Sequence, residues 1–167
     1  MFDHHYEDSA DIAATDSTVF AFVDNHAQFS SHMSESSWMM GGSQMSTRID
    51  EGKGQAVGSH IVMSGRVLGL HLELDEVVTV HRPPTEKVWE TVGKPRLLVI
   101  GQYRMRVTVQ PTTNGSHLTV AIDYGLPDGV FTYWLGRLFG AMYAKWCVKQ
   151  MLDGVVTHFT QQRQWAA

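Results

Sequence analysis

The sequence predicts an α+β domain in which a curved antiparallel sheet wraps around one long C-terminal helix. Three observations predict it. Apolar residues alternate with polar ones, with a period of two, through most of the region between Gly42 and Pro127. All five prolines (Pro83, Pro84, Pro95, Pro111 and Pro127) fall between these runs or at their ends, where a missing amide hydrogen does least harm. From Leu135 onward, apolar residues recur instead at the three- and four-residue spacing of a helix. With 167 residues, 43% hydrophobic and 18% charged, the chain suits a single domain over residues 1–167 with a sizeable core.

The first strand is expected over residues 6–12. Thr15, Asp16 or Ser17 then caps a short helix whose apolar face is Val19, Phe20 and Val23. A second short helix covers residues 26–33, and Gly41-Gly42 ends this region. Met45, Thr47 and Ile49 alternate with Ser46, Arg48 and Asp50, and residues 51–54 read as a turn. Val57, Ser59, Ile61 and Met63 form the next alternating run. Leu68, Leu70, Leu72 and Leu74 share one face of a strand that Val78 and Val80 continue until Pro83-Pro84 stops it. His71 and Glu73, opposite the leucines, are expected to meet solvent. A short strand over residues 88–92 ends at Gly93 and Pro95. Residues 97–109 then form a long strand, with Tyr103, Met105, Val107 and Val109 on one face.

Asn114-Gly115 lies between two alternating runs and is the sharpest local signal in the chain, since such a pair accepts the positive φ angles of a tight hairpin. Leu118, Val120, Ile122 and Tyr124 form the inner face of the last strand. Gly101 and Gly125 are expected to mark bulges that curve the sheet. After Pro127-Asp128-Gly129 the chain turns helical to about Gln162. Leu135, Leu138, Phe139, Met142, Tyr143 and Trp146 lie on one arc of that helix. Val148, Met151, Leu152, Val155 and Phe159 lie on another, rotated by roughly 150° at 100° per residue. Either the helix bends near Gly140 or Gly154, or its first half is covered on two sides. Between the arcs runs a ridge of small residues, Gly136, Gly140 and Ala144.

Composition excludes several function classes. A net charge of −4, with Lys and Arg scattered, speaks against nucleic acid as partner. No run approaches the length of a membrane span, and the acidic N-terminus is unlike a signal peptide. The single cysteine, Cys147, rules out an internal disulfide framework and fits a reducing cytoplasm. Nine histidines invite a metal site, but His4-His5, His26 with His32, and His60, His71 with His81 lack the spacing that metal ligation uses, so no metal is expected. Cys147 lies in an apolar helix with no carboxylate or histidine nearby in sequence, which suits an inert thiol. No nucleophile elbow appears, Gly52-Lys53-Gly54 is too short to cradle a phosphate, and no cofactor is expected.

Strand, two short helices, a six-strand meander and a terminal helix make an unusual order. It resembles the helix-grip fold of the START and polyketide cyclase-like (SRPBCC) superfamily. The residues that carry the resemblance are Ile12-Ala13-Ala14 followed by residues 19–24, then Val57-Gly58-Ser59, the hairpin pairs and the aromatic helix. The proline usual in the family after the first strand is replaced here by Ala14 or Thr15. The resemblance covers essentially the whole chain. It implies a cavity between the concave sheet face and the helix, where members hold lipids, polyketides, hormones or quinones.

The inner faces expected to line that cavity carry Met63, Leu72, Trp89, Tyr103, Met105, Val120, Ile122 and Tyr124, facing Trp134, Leu138 and Met142 of the helix. Broad apolar surfaces with a few polar tips suit a ligand pocket, and methionine adapts to irregular shapes. The same stripes also suit a solid core. The expected function is therefore binding of an apolar small molecule, lipid, polyketide or quinone-like. A cyclase or dehydratase using the same cavity is the alternative, with Tyr103 and Tyr124 pointing inward and Asp123 outward as the polar candidates. A third reading is a protein-partner module built on the aromatic helix around Trp134, Phe139 and Tyr143. A homodimer is compatible with the sequence, which carries no signal for or against it.

Overall fold

A computed structural model describes residues 2–29, 45–67 and 70–165 of the chain. The expectations for residues 30–33, His32, Gly41-Gly42 and Leu68 lie outside the described residues. Among the described residues ten elements follow in chain order: β1 (His4–Ile12), α1 (Asp16–Asp24), α2 (His26–Phe29), β2 (Met45–Ile49), β3 (His60–Val67), β4 (Leu70–Arg82), β5 (Glu86–Thr91), β6 (Tyr103–Thr112), β7 (Gly115–Tyr124) and α3 (Val130–Trp165). The strands form one seven-stranded sheet in the order β1-β7-β6-β5-β4-β3-β2, antiparallel throughout. Consecutive strands from β2 to β7 are neighbours, as a meander requires, and β1 closes the far edge against β7.

Local chemistry explains where the elements begin. Thr15 caps α1, its hydroxyl accepting from the Thr18 amide at 3.3 Å, and Asp16 sits in the first turn, where the helix dipole favours a negative charge. Val19, Phe20 and Val23 are buried by the face this cap orients. Val57 belongs to a turn instead of β3 and is 64% exposed. Here Ser59 is tied back, its hydroxyl donating to Asp50 and accepting from the Gly54 amide, and Gly58 takes a φ of +87° that suits glycine.

The last hairpin forms as expected, with β6 and β7 paired from Tyr103↔Tyr124 to Thr112↔Gly115. Its tip is Thr113-Asn114, not Asn114-Gly115. Gly115 opens β7 with a φ of +149°, and a Cβ there would lie 2.1 Å from the Ile12 carbonyl oxygen. Glycine is needed at this position both for its backbone angle and for the close approach of β1.

Gly101 and Gly125 are not strand bulges. They lie just beyond the ends of β6 and β7 and join each other through Gly101 N to Gly125 O at 2.8 Å. The long run expected from Leu97 is accordingly irregular up to Gln102. The register shift falls instead in β4, between Val78 and Val80. Before it Leu72, Leu74, Glu76 and Val78 are buried on the inner face; after it His81 turns toward Phe20 and Asp24 of α1.

The core lies between the concave sheet face, α1 and α3. One continuous stripe of α3 is buried: Gly136, Gly140, Ala144, Cys147, Val148, Met151, Leu152, Val155 and Phe159. The first half of the helix thus buries its small-residue ridge, not its large apolar arc. A Cβ on Gly136 would lie 2.9 Å from the Val99 carbonyl oxygen, and one on Gly140 would lie 3.1 Å from it. Of the apolar arc Leu138, Phe139 and Met142 face outward, while Leu135 is half-buried and Tyr143 and Trp146 pack against the core. Val130, Phe131, Trp134, Leu138 and Met142 are all more than half exposed.

Candidate functional site

The inner sheet face gathers eight of the residues expected to line a pocket. Met63, Leu72, Trp89, Tyr103, Met105, Val120, Ile122 and Tyr124 are all buried, and the register stacks Trp89 beside Met105 and Met105 beside Ile122. The three helix residues expected to face them do not. Trp134 is 59% exposed, Leu138 71% and Met142 52%. Their place opposite the sheet is taken by the glycine ridge and by Ala144, Cys147 and Val148, because backbone that close to Val99 leaves no room for long side chains.

Two charged residues share this apolar face. Glu76 of β4 is 1% exposed, and its Oε1 accepts from Trp89 Nε1 at 3.1 Å and from the Tyr103 hydroxyl. Burial pushes the Glu76 carboxyl up to about 7, resisted by the Tyr103 and Trp89 hydrogen bonds and by the Lys87 charge. Near neutral pH the carboxyl is therefore divided between its two protonation states. Burial, then the Glu76 charge, holds the Tyr103 phenol well above its ordinary range. Tyr143 and Cys147 of α3 add to that shift from the helix side. Burial raises the Cys147 thiol to about 12, so it stays protonated and is a poor nucleophile.

Lys87 of β5 is fully buried and reaches α1. Its Nζ donates to the Asp24 carbonyl at 3.0 Å and to Asp24 Oδ1 at 2.9 Å, and it stands 5.9 Å from the centre of the Trp89 ring. His81 Nε2 lies 3.0 Å from both Asp24 carboxylate oxygens. Burial lowers the Lys87 ammonium, and Asp24 opposes that shift. This cluster ties the end of α1 to the sheet, and Trp89 joins it to Glu76.

At the same end of the sheet as Tyr103, a cleft of about 1280 Å³ opens between the β5–β6 connection, the β7–α3 junction and the first turns of α3. His4, Arg96, Leu97, Gln102, Tyr133 and Trp134 are among its walls. His4 stacks on Tyr124 with ring centroids 5.1 Å apart, which connects the cleft to the inner face. Trp134 therefore borders a cavity, but at its rim and not over the sheet.

Sequence reasoning passed over Glu76 and Lys87, although both leave a signal. Glu76 is an acid at an inner position of the run Leu72, Leu74, Glu76, Val78, and Lys87 shares the face of Trp89 and Thr91. The engagement of Asp24, 63 residues from Lys87, leaves none. Among the described residues, no group of three or more His, Cys, Asp or Glu side chains is arranged to hold a metal ion. No described helix is long and apolar enough to cross a membrane.

Comparison with known proteins gives the same architecture. The chain superposes on norcoclaurine synthase of Thalictrum flavum, a point mutant in complex with a transition-state analogue, with a TM-score of 0.65 at 15% identity over 96% of each chain. It also superposes on a protein of Thermus thermophilus, with a TM-score of 0.67 at 11% identity over 95% of this chain and 99% of that one. A third match is the di-domain ARO/CYC StfQ of the steffimycin biosynthetic pathway, with a TM-score of 0.63 at 11% identity over 96% of this chain and 51% of that one. These likenesses establish the helix-grip fold and nothing finer. No curated protein matches the chain. The family model described as polyketide cyclase/dehydrase and lipid transport matches residues 3–160, so the chain belongs to that family.

Proposed function

We propose that the protein binds a largely apolar small molecule, lipid- or polyketide-like, with one carbonyl or hydroxyl group directed at Glu76 and Tyr103. One observation carries this reading: a buried carboxyl held by Trp89 and Tyr103 on a sheet face that is otherwise largely apolar. A carboxyl in such a place costs desolvation that an apolar side chain of the same size would avoid. Its presence there supports a polar contact for a ligand, and the cleft beside His4 and Trp134 supports an entrance at that end. The test is binding of a fluorescent fatty acid to the parent and to Met105→Trp, alongside thermal melting of both. Binding by the parent that Met105→Trp blocks, with little change in melting, supports a pocket on this face. A parent that binds no probe, with a variant destabilised by ~1–3 kcal/mol from overpacking, leaves a solid core and sinks the proposal.

A second reading is favoured by the position of the Glu76 carboxyl near 7, where one group can both give and take a proton at neutral pH. Glu76 would then act as general acid–base, with Tyr103 orienting it, in cyclisation or dehydration of a poly-β-ketone bound by shape. Glu76→Gln would abolish turnover and keep the affinity for that substrate. Turnover unchanged in this variant would remove Glu76 from any chemistry.

A further inference from the structure

The outward face of α3 from Phe131 to Lys149 is unusual in two respects together. It is apolar: Phe131, Trp134, Leu138 and Met142 fall within roughly 80° of arc at 100° per residue, and their exposures run from 52% to 74%. It is also basic. Arg137, Lys145 and Lys149 are exposed, Lys145 and Lys149 lie within the same arc, and no acidic residue occurs from Val130 to Leu152. Three positive charges without a negative one stand out in a chain whose net charge is −4. Arg137 leans over the Trp134 ring, 5.7 Å from its centre, so that cation and aromatic surface are presented together. The burial of the opposite, glycine-lined face against Val99 and Leu126 holds this arc outward.

We infer that this face docks on the surface of a lipid bilayer containing anionic headgroups. Large apolar side chains on one helix face, continued along that face by Lys145 and Lys149 and bordered by Arg137, match an interfacial helix lying in the plane of the membrane. The rings and Leu138 enter the headgroup–acyl boundary while the cations meet lipid phosphates. Tryptophan suits that boundary because its body is apolar while its indole N–H stays wet. The cleft adds continuity, since Val130, Tyr133 and Trp134 line it and Trp134 also belongs to the exposed face. A docked molecule would therefore present the cleft at the level of the lipid. This last point rests on the small-molecule reading above; the docking itself does not.

The experiment is co-sedimentation of the full chain with vesicles of phosphatidylcholine alone and of phosphatidylcholine with phosphatidylglycerol, at low and high salt. The parent should sediment with the anionic vesicles and be partly released by salt. Lys145→Glu combined with Lys149→Glu should weaken that partition by about tenfold or more, and Leu138→Asp should abolish it. All these side chains are exposed, so melting temperatures should stay at the parent value. A parent that remains in the supernatant with both vesicle types overturns the inference, as does equal partition of parent and variants. A parent that sediments as a dimer in free solution, made monomeric by Leu138→Asp, would assign the face to a second copy and also overturn it. Fatty-acid probe binding without vesicles separates the two proposals. It should be the same in parent and Leu138→Asp, so vesicle binding can fail while probe binding survives, and the reverse.

Discussion

The two halves of α3 use opposite rules. From Ala144 to Phe159 the helix buries most of what is large and apolar (Val148, Met151, Leu152, Val155 and Phe159) and exposes Val156 along with what is polar. From Val130 to Tyr143 it buries glycine and exposes Phe131, Trp134, Leu138 and Met142. The difference lies in how near the backbone must come. The β7–α3 connection is short, so the helix begins almost against Val99 and Leu126, and only positions without a side chain fit there. Farther along, larger side chains fill the space between helix and sheet. A helical apolar stripe thus identifies the buried face only where there is room for it.

The largest effect should come from truncating leucines on either side of this divide. Leu152→Ala in the second half should destabilise by ~2–5 kcal/mol, the cost of lost burial and a cavity. Leu138→Ala in the first half should change stability by no more than ~0.5 kcal/mol. Urea melts of the two variants check this, and equal losses would mean that Leu138 is not on the surface.

At the junction of the halves, Tyr143 and Cys147 meet the Glu76 cluster, and pH probes it. The Glu76 carboxyl is raised in the fold from 4.5 to about 7, so the folded state holds the proton more tightly than the unfolded chain. Its contribution is complete below pH about 4.5 and is lost as pH rises through about 7, about 3 kcal/mol in all. Stability measured from pH 4.5 to 8 in parent and Glu76→Gln should diverge by that amount. Parallel curves would place the Glu76 titration outside this window.

A smaller effect tests the close approach itself. Gly136→Val should destabilise by ~1–3 kcal/mol, since its Cβ would be forced against the Val99 carbonyl at 2.9 Å. The smallest has the opposite sign. Gly154 is exposed in the second half, and a Cβ added there would meet nothing within 4 Å, so Gly154→Ala should stabilise by ~0.4–1 kcal/mol. Thermal melting distinguishes the two glycines, and a matching response would erase the contrast between the halves.

Much of the architecture is legible in the residues because its causes are local. Alternation such as Tyr103, Met105, Val107 and Val109 is a property of one strand, and burial of one face sets its register against Ile122 and Tyr124. The inner-face residues from Met63 to Tyr124 could therefore be named from sequence. Glu76 and Lys87 were legible too, as charges on apolar faces, but a strand pattern treats them as interruptions when they are in fact the polar groups of the buried sheet face.

What the sequence by itself determined was the set of elements, their order and the inward face of the strands from β3 to β7, since each follows from periodicity within a dozen residues. Only the tertiary structure decided which of two apolar arcs of α3 is buried, and that Asp24 would meet Lys87 and His81. It also decided that Glu76, Trp89 and Tyr103 would converge on one carboxylate oxygen. Those outcomes depend on distances between backbones far apart in the chain. A glycine ridge and an aromatic arc are equally good helix faces until the sheet determines how close the helix must come.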